Sequence, residues 1–145
     1  MSSIRIIALG SDHAGFALKT KVASWLDDEG YVLADVGTTN TDSVDYPDYG
    51  RAVAEVVARG EADRGVIVCG SGIGIAMAAN RVPGARAANC TSGLMARLAR
   101  QHNDANILAL GERIVGEAVA RDCLREFLAT DFEGGRHQPR VDKIG

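Results

Sequence analysis

The chain has 145 residues, 46% hydrophobic and 24% charged, which suits a single domain over residues 1–145 with a core that needs no staples. A net charge of -3 offers no basic field for nucleic acid or an anionic membrane, so neither is expected as a partner and an anionic ligand must rely on local cations. No apolar run approaches the roughly 20 residues of a membrane span, and no basic-then-apolar leader opens the chain, so a cytoplasmic location is expected.

"IRIIAL" (4–9) reads as a buried strand that stops at Gly10. From 16 to 29, Leu18, Val22, Trp25 and Leu26 fall at helical spacing. "YVLADV" (31–36) is a second strand, followed by a polar loop containing Pro47 and a helix marked by Val53, Val56 and Val57 that ends near Gly60. "GVIVC" (65–69) is the third strand, and a glycine-rich turn then opens a helix over 72–81. "ARAANC" (85–90) is a weaker fourth strand, with a helix through Leu94, Arg97 and Leu98 toward His102. "NILALG" (106–111) is the fifth strand, and 115–128 the last long helix, with Val115, Val119, Cys123 and Phe127 largely on one face. The tail "FEGGRHQPR" reads as a solvated segment, because Gly134, Gly135 and Pro139 disfavour helix.

Five strand–helix units in one domain predict a doubly wound parallel sheet in a three-layer α/β/α sandwich, Rossmann-like in character. Ligands of such sheets bind outside the carboxyl ends of the strands. The residues there are "GSDH" (10–13), "GTT" (37–39), "CGSGIG" (69–74), "CTSG" (90–93) and "GER" (111–113). A thiol, an Asp–His pair, hydroxyls and an arginine thus share one edge.

Neither glycine-rich loop fits a nucleotide signature. In "GSDHAGFALK", Phe16 and Ala17 stand where a P-loop needs Lys and Ser/Thr; in 70–74, Ile75 takes the place of the third glycine of a dinucleotide fingerprint. What remains is a helix N-terminus that an anion can approach. Cys90 and Cys123 lie on apolar elements and read as core. Cys69 sits at a strand exit just before helix amides, where a thiol can serve as nucleophile, metal ligand or general base. The three cysteines form no CxxC pair, and His13, His102 and His137 show no metal spacing, so no disulfide, metal or cofactor is expected. Arg136 and Arg140, flanking His137, would suit a phosphate gripped by parallel hydrogen bonds.

Taken together, "GSDHAGF", "DYPDY", "CGSGIG", "RQHNDANILALGERIVG" and "FEGGRHQPRV" resemble the type B ribose-5-phosphate isomerases, in the family that also holds allose- and galactose-6-phosphate isomerases. The likeness runs in order over nearly the whole chain. It implies metal-free interconversion of an aldose phosphate and its ketose, with ribose 5-phosphate and ribulose 5-phosphate as the pair. By that resemblance Cys69 is the base at C2, and the backbone of Gly70, Ser71, Gly72, Ile73 and Gly74, with the Ser71 hydroxyl, holds the enediolate. His102 is the acid that opens the furanose ring. Asp12, His13 and Asn103 fix sugar oxygens, Tyr46 lines the pocket, and Arg113, Arg136 and Arg140 hold the phosphate. The resemblance also implies obligate homodimers, with tetramers as a larger option, in which each site mixes residues of two subunits, the segment around His102 and the arginines coming from different chains. One branch of the family uses a glutamate just past the loop; Ile73 and Ile75 stand nearby here, which places the chain with the cysteine-using branch. The competing expectations are a six-carbon substrate such as allose 6-phosphate, and a non-catalytic phosphate- or nucleotide-sensing module on the same fold.

Overall fold

Alternating side chains along three central strands organise the molecule. The computed structural model describes residues 3–145. In chain order it contains β1 (Ile6–Ser11), α1 (Phe16–Asp28), β2 (Val32–Asp35), α2 (Tyr46–Ala58), β3 (Arg64–Cys69) and α3 (Ile73–Ala79). There follow β4 (Ala87–Asn89), α4 (Gly93–Asn103), β5 (Ile107–Gly111), α5 (Glu117–Ala129) and α6 (Gln138–Ile144), with short 3-10 turns at His13–Gly15 and Gly135–His137. The strands form one parallel sheet in the order β2-β1-β3-β5-β4. This is the expected doubly wound α/β sandwich.

Because strand side chains point to opposite faces in turn, each strand feeds two cores. Ile7, Leu9, Val66, Val68, Leu108 and Leu110 pack with Leu18 and Val22 of α1, Ala96 of α4 and Phe127 of α5. Ala8, Ile67, Cys69 and Ala109 face the other way, against Val53 and Val57 of α2 and Ile75 and Ala79 of α3. So α1, α4 and α5 cover one face, and α2 and α3 the other.

That division positions the site. Strands β1 and β5 flank β3, and both lead to helices on the first face, whereas β3 leads to α3 on the second. The chain therefore parts on either side of the carboxyl end of β3, where parallel sheets of this kind take ligands. Cys69 is the last residue of β3 and pairs in register with Gly111 at the end of β5.

Two expectations need correction. Pro47 does not lie in a loop but in the first turn of α2, where its missing N–H would have had no partner in the helix. The tail is not a non-helical solvated segment: α6 begins at Gln138 with Pro139 in its first turn, and His137 and Val141 are buried. Gly134 and Gly135, at φ of 66° and 55°, turn the chain instead of dissolving it.

Phe127 is fully buried in the first core. Phe127→Ala is expected to lower the unfolding free energy by about 3–5 kcal/mol, read from urea titrations.

Candidate active site

At the end of β3 the chain makes a tight turn into α3. Cys69 is 4% exposed, and the Gly72 backbone N–H donates to its Sγ at 3.1 Å. A main-chain donor aimed at sulfur is the contact a sulfur anion accepts. Gly72 makes this possible with φ of 78°, and a Cβ there would stand 2.9 Å from the Leu110 carbonyl carbon and run into the Asn89 side chain. The Ile73 N–H donates to Ser71 Oγ at 3.1 Å, so both side chains of the turn gather on the N-terminus of α3. The Tyr46 ring lies over that first turn: a Cβ on Gly74 would be 2.5 Å from its Cε1.

The loops after β1 and β5 close in from the sides. Asp12 is buried, and its Oδ1 accepts from Gly15 N at 3.0 Å, fixing the 3-10 turn that carries His13. His13 Nδ1 accepts from Val44 N at 3.1 Å, so that nitrogen bears no proton and Nε2 is left as the donor. Arg113 N donates to Gly70 O at 2.9 Å, and its guanidinium lies against Gly70. These residues enclose an open cleft of about 560 Å³ lined by Asp12, His13, Tyr46, Cys69, Ser71 and Arg113, with Gly70, Ile73 and Gly74 also at its wall.

Two ties that the sequence did not betray hold this frame. The Glu112 carboxylate accepts from Leu18 N at 2.7 Å, joining the β5 loop to the first turn of α1. Lys19, 3% exposed, donates to Asp35 at 2.7 Å and to the Thr38 carbonyl at 2.7 Å, pinning residues 37–39 against Ser11. The other two cysteines are core residues: burial pushes the Cys90 thiol up to about 12 and the Cys123 thiol up to about 11.

The remaining expected residues lie elsewhere. α4 starts at the carboxyl end of β4 and runs back about 16 Å, at 1.5 Å per residue, toward the opposite edge of the sheet. His102 and Asn103 are its last two residues. Asn103 lines a separate cleft of about 660 Å³ beside β4, with Asn80 and Arg86. His102 stacks on His137 with ring centroids 4.4 Å apart and planes 17° from parallel, and exposed Arg136 and Arg140 flank that histidine in sequence. One chain therefore holds Cys69, Ser71, Asp12, His13, Tyr46 and Arg113 together at one edge, and His102, Asn103, Arg136 and Arg140 apart from them.

This arrangement has relatives. Residues 7–144 match the family described as Ribose/Galactose Isomerase. The chain belongs to that family. It is 46% identical to Escherichia coli ribose-5-phosphate isomerase B over 138 residues, covering 95% of this chain and 93% of that one. The structure of the Clostridium thermocellum ribose-5-phosphate isomerase B superposes with a TM-score of 0.96 at 56% identity, covering 97% and 95% of the two chains. That of the Thermotoga maritima enzyme gives 0.95 at 48% identity, covering 99% and 98%.

Burial, then the neighbouring Arg136 and His102, push the His137 pKa below the ordinary imidazole value of 6.5. The unfolded chain thus binds the proton more readily than the folded one, and folded stability from this group is full above 6.5 and drains as pH falls below it. Thermal unfolding is expected at a lower temperature at pH 5.5 than at pH 7.5, with a smaller difference in His137→Phe.

Proposed function

We propose that the chain interconverts D-ribose 5-phosphate and D-ribulose 5-phosphate, as a cytoplasmic homodimer whose sites each draw on both subunits and use no metal. The observation that carries this reading is Cys69 Sγ receiving the Gly72 N–H at the mouth of a cleft whose rim bears Arg113. Membership of the family, and relatives that bear the isomerase name, support the substrate. Pairing is supported by the separation of the two residue groups, since a second copy could bring one chain's His102 to the other's Cys69. Large apolar side chains stand exposed around the cleft mouth, Ile73 at 56%, Met77 at 68% and Ile114 at 59%, as an interface would require. No helix among the described residues is long and apolar enough to cross a membrane.

Substrate phosphate sits between Arg113 and the partner subunit's Arg136 and Arg140, in a chain whose net charge of -3 supplies no other attraction. Asp12, His13 through Nε2–H, and the partner subunit's Asn103 hold sugar hydroxyls, while Tyr46 closes one wall. The partner subunit's His102 gives a proton to the ring oxygen as the C1–O4 bond breaks; the C1 hydroxyl releases its proton to solvent, and the imidazole regains one there. The open chain now has its C2 hydrogen over the Cys69 thiolate. As sulfur takes that proton, the C–H electrons form the C1–C2 double bond and the charge passes to O1, facing the amides of residues 70–74 and the Ser71 hydroxyl. Sulfur returns the proton to C1, O2 yields its own proton, and O1 is protonated, leaving the ketose. Preorganised N–H donors of this kind typically contribute about 10²- to 10³-fold each.

Cys69→Ala is expected to lower kcat about 10²- to 10⁴-fold while a non-reactive sugar phosphate still binds. Robust turnover by this variant removes sulfur from the chemistry, and loss of wild-type turnover on chelation removes the metal-free reading. Mixing unfolded Cys69→Ala and His102→Asn chains and refolding them together is expected to regain about a quarter of wild-type activity, because half the dimers would hold one complete site. No recovery would overturn the shared site.

A further inference from the structure

We propose that His137 is the positioning residue for the ring-opening acid: a buried imidazole whose stacked face fixes the plane of His102, an inference that rests on the isomerase reading above.

The geometry begins in the backbone. Glu133 N donates to Gln101 O at 3.1 Å, fastening the segment after α5 to the last turn of α4. Gly134 and Gly135 then reverse the chain, and His137 N closes the turn onto Gly134 O at 3.0 Å. The result drops His137 onto the face of His102 at 4.4 Å, nearly parallel. His137 is 6% exposed, while His102 keeps access to solvent. Buried polar atoms are normally satisfied, yet His137 Nε2 has no hydrogen bond, the Glu133 carboxylate standing 3.4 Å away. What this imidazole presents to His102 is its ring face.

Charge favours the neutral ring. Two imidazolium rings stacked at this distance would repel in a poorly hydrated place; burial, Arg136, His102 and Arg140 act against a charge on His137 and outweigh the Glu133 carboxylate that favours one. A neutral His137 leaves the single proton of the pair to His102, the ring that has solvent access. Ligand atoms of His102, Glu133 and His137 lie within 4.8 Å of one another, the spacing of a metal site. Ring nitrogen lone pairs, however, lie in the ring planes, and planes only 17° from parallel do not direct them to one point about 2.0–2.1 Å from both. Stacking is what the arrangement offers.

The test separates ring opening from proton transfer. Ribulose 5-phosphate has its terminal oxygen esterified and cannot close a five-membered ring, so solvent deuterium can enter its C1 through the Cys69 step without the ring-opening acid. With the full-length protein, His137→Ala is expected to lower kcat for ribose 5-phosphate about 10- to 100-fold, leave KM unchanged, and leave deuterium exchange into ribulose 5-phosphate at the wild-type rate. His137→Phe, which keeps a flat ring without a proton, is expected to restore most of the lost kcat, and His102→Asn to show the same split as His137→Ala. Unchanged kcat in His137→Ala overturns the proposal. So does a parallel loss of exchange, which would mark a general structural role, or a rise in KM alone, which would assign His137 to the arginines. Failure of phenylalanine to restore kcat also overturns it. A wild-type protein that neither isomerises nor exchanges would instead sink the isomerase reading.

Discussion

The hydrogen bond from Gly72 N to Cys69 Sγ is the contact on which the site depends. It exists because three constraints coincide. β3 ends at the residue where neighbouring strands send their helices to the other face, so the turn opens into a crevice and not into a core. Gly72 takes a left-handed backbone that a side chain would resist, and the space where its Cβ would lie is already filled by Asn89 and Leu110. The Gly72 N–H, at the cap of the short α3, then points back at the sulfur, while the next amide, Ile73 N–H, is taken by Ser71 Oγ. A thiol one residue earlier would face the first core with Val68, and one residue later would lie outside the strand. Alternation along the strand and the handedness of one glycine together set the buried Cys69 in the wall of the cleft, while Cys90 and Cys123 lie in the first core with their thiols pushed up by burial.

A second constraint is distance. α4 carries His102 away from the edge where Cys69 stands, and no motion of a packed helix within this sheet would return it. On the proposed reading, symmetry would supply what one chain lacks: a two-fold axis would set the carboxyl edge of one copy against the other copy's α4 and tail, and would do so twice. The exposed Ile73, Met77 and Ile114 would then be the apolar surface that such pairing buries, in keeping with their poor fit to a lone subunit. Fold and assembly would in that case be one design.

Much of this was legible in the chain. Alternating apolar runs ending in glycine, at 4–9, 65–69 and 106–111, lie within two residues of β1, β3 and β5, because fully buried parallel strands tolerate little but aliphatic residues. The carboxyl-edge rule then gathered Asp12, His13, Cys69, Ser71 and Arg113, which do line one cleft. Legibility failed where tertiary contacts outvote local preference. Pro139 and the paired glycines read as helix breakers, yet a proline is harmless in a first turn and the glycines serve as the bend before it. Lys19 and Glu112 have no local signature at all; their meaning lies in partners at Asp35, Thr38 and Leu18 that only folding brings near.

The tail shows why burial of a polar ring is informative. Segments after a last long helix usually fray unless something docks them, and here docking uses one backbone bond from Glu133, a stacked His137 and the buried Val141. An aliphatic residue at 137 would fill the same space, but it would offer His102 an uneven surface and no fixed plane. Arg136 and Arg140 are exposed and, on the proposed reading, would receive an anion; a third positive charge between them is disfavoured, as the lowered His137 pKa reflects. A flat, buried ring between two exposed cations meets these demands at once, and on the proposed reading it joins the order of the tail to the orientation of His102.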